Sequence, residues 1–261
     1  MKIPIYQVDA FTQKVFKGNP AAVCPLKSWL KDEDMLKIAA ENNLSETAFF
    51  VPCGDQYAIR WFTPKVEVNL CGHATLASAH IIFNFLKVPA DEITFQSKSG
   101  ILKVRKNGDN LILDFPTGII ESAIITKEMT AALGKLPMAV YKSGQKLMAL
   151  FEDEKTILDI QPDFEKMKIL DFMGVIVTAR GNKVDFVSRF FAPKVGINED
   201  PVTGSAHTIL IPFWADRLGK NRMNAIQVSD RTGELECELK GDRVLIGGYA
   251  ATYLTGEINL D

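Results

Sequence analysis

Histidine and cysteine are both scarce in this sequence. Its 261 residues include three histidines and four cysteines, and no two cysteines form a CxxC pair. Zinc ribbons and thioredoxin-type redox centres need such pairs, so we expect neither. Three dispersed histidines also give little support to a metal site, and we predict none. Four scattered thiols in a chain of this length are typical of the cytosol, so we predict a cytoplasmic protein.

The sequence signatures of bound cofactors are missing. The chain has no GxGxxG, GxxxxGK[ST] or HExxH motif and no EF-hand loop. These patterns mark dinucleotide, nucleotide, zinc and calcium sites. We therefore predict that no cofactor is required and that side chains carry the chemistry.

A strong charge of one sign and a membrane-spanning run are lacking as well. Thirty Lys and Arg against 32 Asp and Glu give a formal charge of −2, which is too balanced for binding a phosphate backbone. Residues 1–11 contain Asp9 and do not resemble a signal peptide. Residues 69–86 carry no charge, but their Gly, His, Asn and Ser content favours a buried helix. We expect neither nucleic acid nor a membrane as a partner.

What the sequence does contain is a mixture of strand and helix patterns. Runs of β-branched and aromatic residues predict strands at 3–8, 93–96, 101–104 and 111–115. Apolar periodicity and helix-end signals predict helices at 32–43, at 74–86, at 127–133 before Gly134, and after Ser205. Pro212 should kink the last helix or delay its start. Because the order is not a regular βαβ alternation, we predict an α+β fold with mixed or antiparallel sheets.

An internal repeat is the most informative feature. Residues 60–69 (RWFTPKVEVN) align without gaps on 189–198 (RFFAPKVGIN). After a three-residue insertion, 71–74 (CGHA) align on 203–206 (TGSA). A match that continues past a gap into a second glycine turn indicates a duplicated domain. We predict two domains, one formed by 1–115 joined by a last strand at 249–261, and the other by 116–248.

Each half then carries a strand, a Pro-Lys turn and a glycine-centred turn that opens a helix. If a pseudo-twofold axis relates the halves, the two helix N-termini face one cleft. Unpaired N–H groups and the positive end of the helix dipole would bind a carboxylate or a developing oxyanion there. We therefore expect a small anionic metabolite as the substrate.

Three side chains are candidates for catalysis. His73 lies at a helix N-terminus, where the dipole should lower its pKa and keep it neutral. We interpret His80 as structural and His207 as a capping or packing residue. Asp200, held extended by the following proline, is either catalytic or a turn former or helix cap. Glu46 stands at the start of an apolar strand, where burial would favour general acid–base catalysis, although an ordinary surface glutamate is the alternative.

Cys71 is a further candidate, because thiolates are activated at helix N-termini. Two-base racemases and epimerases use a thiol on each side of the substrate carbon, yet the repeat partner of Cys71 is Thr203. A two-thiol racemase is therefore disfavoured, and Cys71 is either catalytic or structural. A hydrolase built on Cys71 and His73 is also disfavoured, because side chains two residues apart need not meet and no third orienting group is evident.

Several short motifs occur in order along nearly the whole chain. They are VDAFT at 8–12, GNP at 18–20, NLSETAF at 43–49, FTP at 62–64, VNLCGHA at 68–74, FAP at 191–193 and EDPVTGSA at 199–206. Together they resemble the motifs of the phenazine biosynthesis PhzF-like family. The resemblance implies the diaminopimelate-epimerase-like fold. In that fold two pseudo-symmetric halves each wrap a curved sheet around a central helix, and the active site lies between them.

The resemblance also implies roles for single residues. Glu46 matches the acid–base residue that moves a proton between substrate carbons, and His73 and Asp200 match its accompanying histidine and aspartate. The positions expected to bind substrate are Asn19, Cys71, Gly72, Gly204 and Ser205. Similar enzymes are homodimers, so a homodimer is expected.

We predict a cofactor-independent isomerase that moves a carbon-bound proton on a small carboxylate-bearing substrate. Two alternatives stay open. One is a catalytically silent metabolite-binding or interaction protein of the same fold, in which Glu46 would form a surface salt bridge. The other, less favoured, is a Cys-dependent racemase or epimerase.

Overall fold

The chain forms two compact units in the computed structural model, which describes residues 1–260. Unit 1 is Met1–Phe115 together with the chain from Ile246 onward, and unit 2 is Pro116–Leu245. The sequence-based division, with boundaries after residues 115 and 248, shares the first of these boundaries and has its second a little later in the chain.

Unit 1 combines a mixed sheet with two helices. Its strands are β1 (Lys2–Ala10), β2 (Asn19–Pro25), β3 (Glu46–Cys53), β4 (Gln56–Phe62), β5 (Glu67–Val68), β6 (Glu92–Ser97), β7 (Gly100–Asn107), β8 (Asn110–Pro116) and β18 (Ala250–Asn259). Its helices are α1 (Asp32–Asn42) and α2 (Gly72–Asn84). The strands pair in the order β18–β1–β2–β3–β4–β6–β7–β8, and β5 pairs with β4.

Two steps of this sheet are parallel, β2–β3 and β4–β6, and the others are antiparallel. Parallel neighbours need a crossover connection, which is usually a helix. In the chain, α1 lies between β2 and β3, and α2 lies between β5 and β6. The two pairs of parallel strands therefore determine where the two helices cross the sheet.

Unit 2 combines a second mixed sheet with four α-helices. Its strands are β9 (Glu121–Ala123), β10 (Ala139–Ser143), β11 (Lys146–Leu150), β12 (Gly174–Arg180), β13 (Phe186–Ala192), β14 (Ile197–Asp200), β15 (Arg222–Gln227) and β16 (Gly233–Lys240). Its helices are α3 (Lys127–Leu133), α4 (Glu154–Asp159), α5 (Phe164–Ile169) and α6 (Gly204–Leu218), with a 3-10 turn at Pro193–Val195. The last strand, β17 (Arg243–Gly248), carries the chain from unit 2 into unit 1.

The two units repeat one topology. The strands of unit 2 pair in the order β9–β10–β11–β12–β13–β15–β16, with parallel steps at β11–β12 and β13–β15. The same succession of antiparallel and parallel steps runs from β18 to β7 in unit 1. The aligned segments 60–69 and 189–198 lie at equivalent places, in β4–β5 and β13–β14. The predicted duplication and the predicted α+β fold with mixed sheets are confirmed.

The helices α2 and α6 are buried on almost every side. In α2 the residues from His73 to Ala79 are all buried, and in α6 nine residues are buried. A helix that is apolar all round belongs in a core, as expected of a central helix inside a curved sheet. Helix α2 begins at Gly72, two residues earlier than predicted, because the glycine turn already belongs to the helix. Pro212 lies inside α6 and does not delay its start at Gly204.

Each unit has its own core around the remaining helices. In unit 1, Met35 of α1 packs in one cluster with Phe49 of β3. In unit 2, Met167 of α5 packs in one cluster with Phe191 of β13. Among residues 1–260, no helix is both long and apolar enough to cross a membrane.

Candidate active site

Unit 1 brings five of the predicted site residues together. Asn19 and Glu46 are the first residues of β2 and β3. These strands are parallel neighbours, so both residues lie at the same end of the strands. Cys71 directly precedes α2, and Gly72 and His73 form the start of that helix. This end of the strands therefore meets the N-terminus of a buried helix.

The position of Asn19 depends on the glycine before it. Gly18 has φ = +63°, in the left-handed region, and a Cβ at this position would collide with the carbonyl oxygen of Ala10. Only glycine fits such a place without strain. The GNP motif thus fixes how the chain enters β2.

His73 links three other side chains of this group. Its Nε2 lies 3.3 Å from Glu46 Oε2. Its Nδ1 lies 3.3 Å from Asn19 Nδ2 and 3.5 Å from Cys71 Sγ. Because an amide NH2 and a thiol are donors, Nδ1 is the acceptor and the ring proton is on Nε2. In this tautomer His73 Nε2–H donates to the Glu46 carboxylate.

Burial holds His73 neutral. The residue is 5% exposed, and desolvation lowers its pKa from 6.5 to about 3. The direction agrees with our expectation, and its cause is burial. A neutral His73 can donate a hydrogen bond to Glu46, but it does not store a proton near neutral pH.

Glu46 is half-buried rather than a surface residue. Its side chain is 13% exposed, and its carboxylate faces the buried His73 at the glycine turn of α2. The next residues of β3, from Thr47 to Phe50, are all buried. These contacts differ from the surface salt bridge of Glu46 that is expected if the protein is catalytically silent.

Cys71 and His73 do meet, although their spacing of two residues did not require it. Cys71 is 6% exposed, and its Sγ lies 3.5 Å from His73 Nδ1. A thiolate–imidazolium pair needs a charged histidine, and burial opposes that charge. The arrangement favours a neutral thiol that donates to Nδ1.

The same three side chains have the geometry of a metal site. Glu46, Cys71 and His73 each offer one ligand atom, and these atoms lie within 4.8 Å of one another. Within the part of the chain that the structure describes, this is the one grouping of three or more such side chains found with that spacing. Counting histidines alone does not reveal it.

The remaining predicted residues gather at the start of α6 in unit 2. Asp200 ends β14, Thr203 directly precedes α6, and Gly204 and Ser205 open the helix. The Thr203 hydroxyl donates to Asp200 Oδ2, so the carboxylate is tied to the turn. The predicted site residues therefore form two groups, one in each unit.

Gln227 is a residue of this second group that the sequence analysis missed. Its Nε2 donates to the Asp200 carbonyl oxygen at 2.6 Å, and its Oε1 accepts from the Thr203 N–H at 2.9 Å. Its Nε2 also lies 3.3 Å from the Thr203 hydroxyl oxygen. The available signal was the alternation of β15, where Met223, Ala225 and Gln227 all point to the buried side. A glutamine at an inward position needs partners, and here it clamps the turn before α6.

The two central helices differ from α3, α4 and α5 at their N-termini. Helices α3, α4 and α5 are capped by the side chains of Thr126, Asp153 and Asp163. Helices α2 and α6 have neither a side-chain cap nor an acidic residue in the first turn. Ends of this kind favour a bound anion, because backbone N–H groups and the helix dipole point at it.

Equivalent arginines brace the segments that lead into these two helices. Arg60 Nε and Nη2 each lie 2.8 Å from the carboxylate oxygens of Glu67. Arg189 Nε and Nη2 lie 2.8 and 2.9 Å from those of Glu199. Such bidentate pairs fix geometry as well as charge. The repeated arginine of the aligned segments is thus explained as a structural brace.

The other two histidines are engaged elsewhere. His80 Nε2 lies 2.9 Å from Thr252 Oγ1, and Asn84 Nδ2 lies 3.0 Å from His80 Nδ1. His207 is fully buried, and its Nδ1 donates to the Thr203 carbonyl oxygen at 2.9 Å. Both agree with the structural roles expected from the sequence.

Comparison with known proteins relates the chain to one family. A family model for phenazine biosynthesis-like proteins matches residues 8–256. An uncharacterized isomerase from Pseudomonas aeruginosa is 51% identical over 260 residues, which covers 100% of both chains. A crystal structure of a PhzF-family protein from Enterococcus faecalis has a TM-score of 0.98 at 52% identity and covers 100% of both chains.

A more distant likeness concerns the fold alone. A predicted epimerase from Pseudomonas aeruginosa has a TM-score of 0.75 at 20% identity, covering 99% of this chain and 100% of that one. Together with the ordered motifs and the duplicated sheets, these similarities establish that the chain belongs to the phenazine biosynthesis-like PhzF family, with its diaminopimelate-epimerase-like fold.

Proposed function

We propose that this protein is an isomerase in which Glu46 moves a carbon-bound proton on a small carboxylate-bearing substrate. The supporting observation is the environment of Glu46. Its half-buried carboxylate lies 3.3 Å from Nε2 of a buried, neutral histidine at the N-terminus of α2. The name of the relative from Pseudomonas aeruginosa, an isomerase, supports the reaction class.

The proposed reaction conserves atoms and electrons. The Glu46 carboxylate takes a proton from a carbon beside a C=C group, the electron pair left behind forms a new double bond, and the pair of the old double bond moves to its far carbon. The protonated Glu46 then returns the proton to a different carbon, so the product is an isomer of the substrate. Positioned acid–base catalysis of this kind contributes about 10²- to 10⁴-fold.

His73 serves as a positioning residue in this proposal. Because its Nε2–H donates to Glu46, the ring holds the carboxylate in place without taking the proton from it. Asn19 and Cys71 support that role through Nδ1, since their contacts select the tautomer. Second-shell groups that fix a ring in this way are part of a working site.

The substrate carboxylate is proposed to bind at uncapped helix N-termini, at Gly72 of α2 and at Gly204 and Ser205 of α6. Asp200, held by Thr203 and Gln227, is proposed to position the substrate or to assist proton transfer. The participation of both helices in one site stays a prediction from the family resemblance.

Deuterium incorporation tests the proposal. The protein is incubated in D2O with a panel of cyclic amino and hydroxy acids, and both exchange at carbon and formation of an isomer are followed by NMR. Glu46→Gln keeps the side-chain shape and removes the base, so exchange should fall about 10²- to 10⁴-fold while the Tm stays unchanged. The matched control is Glu92→Gln. Glu92 also begins a strand, but its carboxylate pairs with Lys103 and Arg105, so full exchange is expected.

Two results would contradict the proposal. Full exchange by Glu46→Gln would remove Glu46 as the base. Calorimetric binding of panel members without any exchange or isomer formation by the unaltered protein would favour the silent metabolite-binding alternative.

A second candidate function is thiol chemistry at Cys71, which the 3.5 Å contact with His73 Nδ1 favours. In that reaction the thiol would give its proton to Nδ1, and Glu46 would only orient the ring. Cys71→Ser discriminates the two. Under the Glu46 proposal this variant retains most of the exchange, whereas under the thiol mechanism it loses about 10²- to 10⁴-fold.

A further inference from the structure

We propose that Glu46, Cys71 and His73 bind a thiophilic divalent cation such as Zn²⁺, and that the bound cation switches off proton transfer. The binding follows from the three side chains alone. The inhibition rests on the proposed function of Glu46.

The ligand set and its spacing suit zinc. A carboxylate oxygen, a thiolate sulfur and an imidazole nitrogen are its usual ligands. Nε2 of His73 lies 3.3 Å from Glu46 Oε2 and 4.0 Å from Cys71 Sγ, and the three ligand atoms all lie within 4.8 Å of one another. Zinc bonds of about 2.0 to 2.3 Å at tetrahedral angles place ligand atoms roughly 3.3 to 3.8 Å apart. Only a small inward movement of Cys71 and Glu46 is needed.

The charge of the site also fits a divalent cation. One carboxylate and one thiolate balance two positive charges, so no uncompensated charge is left in a largely buried place. Three protein ligands leave a fourth position for water, as in many open zinc sites. The Cys71 thiol gives its proton to solvent when the cation binds, so binding releases a proton and strengthens as the pH rises.

Asn19 is placed to support the histidine as a ligand. A cation on Nε2 requires the ring proton on Nδ1, and metal-bound histidines donate that N–H to an oxygen acceptor. The Asn19 amide lies 3.3 Å from Nδ1. A half-turn of this amide would present its oxygen in place of its NH2 group. Asn19 can therefore satisfy the ring in both tautomers.

A cation held here would occupy the carboxylate that the proposed reaction needs as its base. Proton transfer should stop while the protein stays folded, and removal of the cation should restore it. The site would then make the activity reversibly sensitive to free zinc.

Binding is tested without any substrate by using Co²⁺ as a coloured probe. The reduced, chelator-treated full-length protein is titrated with Co²⁺ and then with ZnCl2. Thiolate ligation should give a sulfur-to-cobalt charge-transfer band at one Co²⁺ per chain, and ZnCl2 should bleach it. Cys71→Ser should abolish the band, and His73→Gln, checked for an unchanged fold by circular dichroism, should weaken binding at least about tenfold.

Two control variants are available in the same chain. Cys53 is the exposed cysteine, so Cys53→Ser should leave the band unchanged. His80→Gln controls for the loss of a histidine outside the group. Cys24 and Cys237 are buried, and desolvation raises the pKa of each thiol, which opposes thiolate formation.

Activity is then measured separately as deuterium exchange. ZnCl2 should inhibit the unaltered protein, and EDTA should restore exchange. The exchange that Cys71→Ser retains, measured first without metal, should resist inhibition. A cobalt band that survives in Cys71→Ser, or no binding at saturating Co²⁺, would overturn the metal site. Cys71-dependent binding without inhibition would overturn the switch and count against Glu46 as the base, while the metal site would stand.

Discussion

A histidine whose two ring nitrogens face a carboxylate and an amide NH2 has one neutral tautomer that satisfies both. His73 is such a residue, with Glu46 at Nε2 and Asn19 at Nδ1. Its role near Glu46 therefore depends on staying uncharged. A charged ring would donate from Nδ1 toward a second donor and lose that contact.

At the scale of this residue we predict that His73 does not titrate between about pH 5 and about pH 8, the range in which histidines ordinarily change charge. Burial lowers its pKa from 6.5 to about 3. A ¹⁵N–¹H spectrum, with the signal assigned through His73→Gln, should show a neutral ring protonated at Nε2 throughout. A midpoint near 6.5 would show that the ring is solvated, and a thiolate–imidazolium pair with Cys71 would again be plausible chemistry.

At the scale of elements, the junction between β14 and α6 is held by a side chain from β15. Gln227 bonds to the backbone on both sides of this junction, at Asp200 and at Thr203. Unit 1 lacks an equivalent glutamine. There the register of β6 on β4 places Ser97 at the corresponding position, and its hydroxyl donates to Gly100 instead.

We predict that Gln227→Ala destabilises the protein by about 1 to 3 kcal/mol, because a buried N–H and a partly buried carbonyl would lose their partner. The control is Gln96→Ala, since Gln96 is an exposed glutamine of β6 whose amide bonds to Gln56. That change should cost less than about 0.5 kcal/mol. Urea unfolding of both variants measures the difference, and equal costs would show that the clamp is not stabilising.

The sequence predicts those helices and contacts that are determined by residues close together in the chain. Helix α3 was predicted at its observed bounds from Gly134, which ends it with φ = 71°, and the structure adds a Thr126 cap at its start. The six-residue helices α4 and α5 were not predicted, since each is too short to show a period despite its Asp cap. Asn19 and His73 are 54 residues apart in the sequence, and Gln227 and Thr203 are 24 apart. Local sequence patterns could therefore not predict either contact.

At the scale of the whole molecule, all three histidines are at least partly buried and have lowered pKa values. Burial lowers those of His73 to about 3 and His207 to about 4, the latter despite its hydrogen bond to Thr203. His80 is lowered to about 4 by burial and by the nearby Lys106. Below pH 6.5 the unfolded chain therefore binds more protons than the folded chain. The contribution of these neutral histidines to the free energy of unfolding is fully present above about pH 6.5. It is lost as the pH drops toward their pKa values in the folded protein.

We predict that the free energy of unfolding falls by about 4 kcal/mol when the pH is lowered from 7 to 5. His73 and His207, the two most deeply buried histidines, should each contribute about 2 kcal/mol of that fall. This window lies above the usual titration of carboxylates, so histidines should dominate it. Urea unfolding at both pH values measures the loss. In His207→Gln the loss of unfolding free energy between pH 7 and pH 5 should be smaller by about 2 kcal/mol. An unchanged loss would show that His207 does not contribute to it.

The interleaving of the two units along the chain has a consequence for synthesis on the ribosome. Unit 2 is continuous from Pro116 to Leu245, whereas unit 1 needs the later strand β18, which pairs with β1 along Lys2–Ala10. Since domains fold as units during translation, the half that is made first is the last to be finished. Until β18 emerges, β1 presents an unpaired edge, and nascent chains should be most dependent on chaperones during that interval.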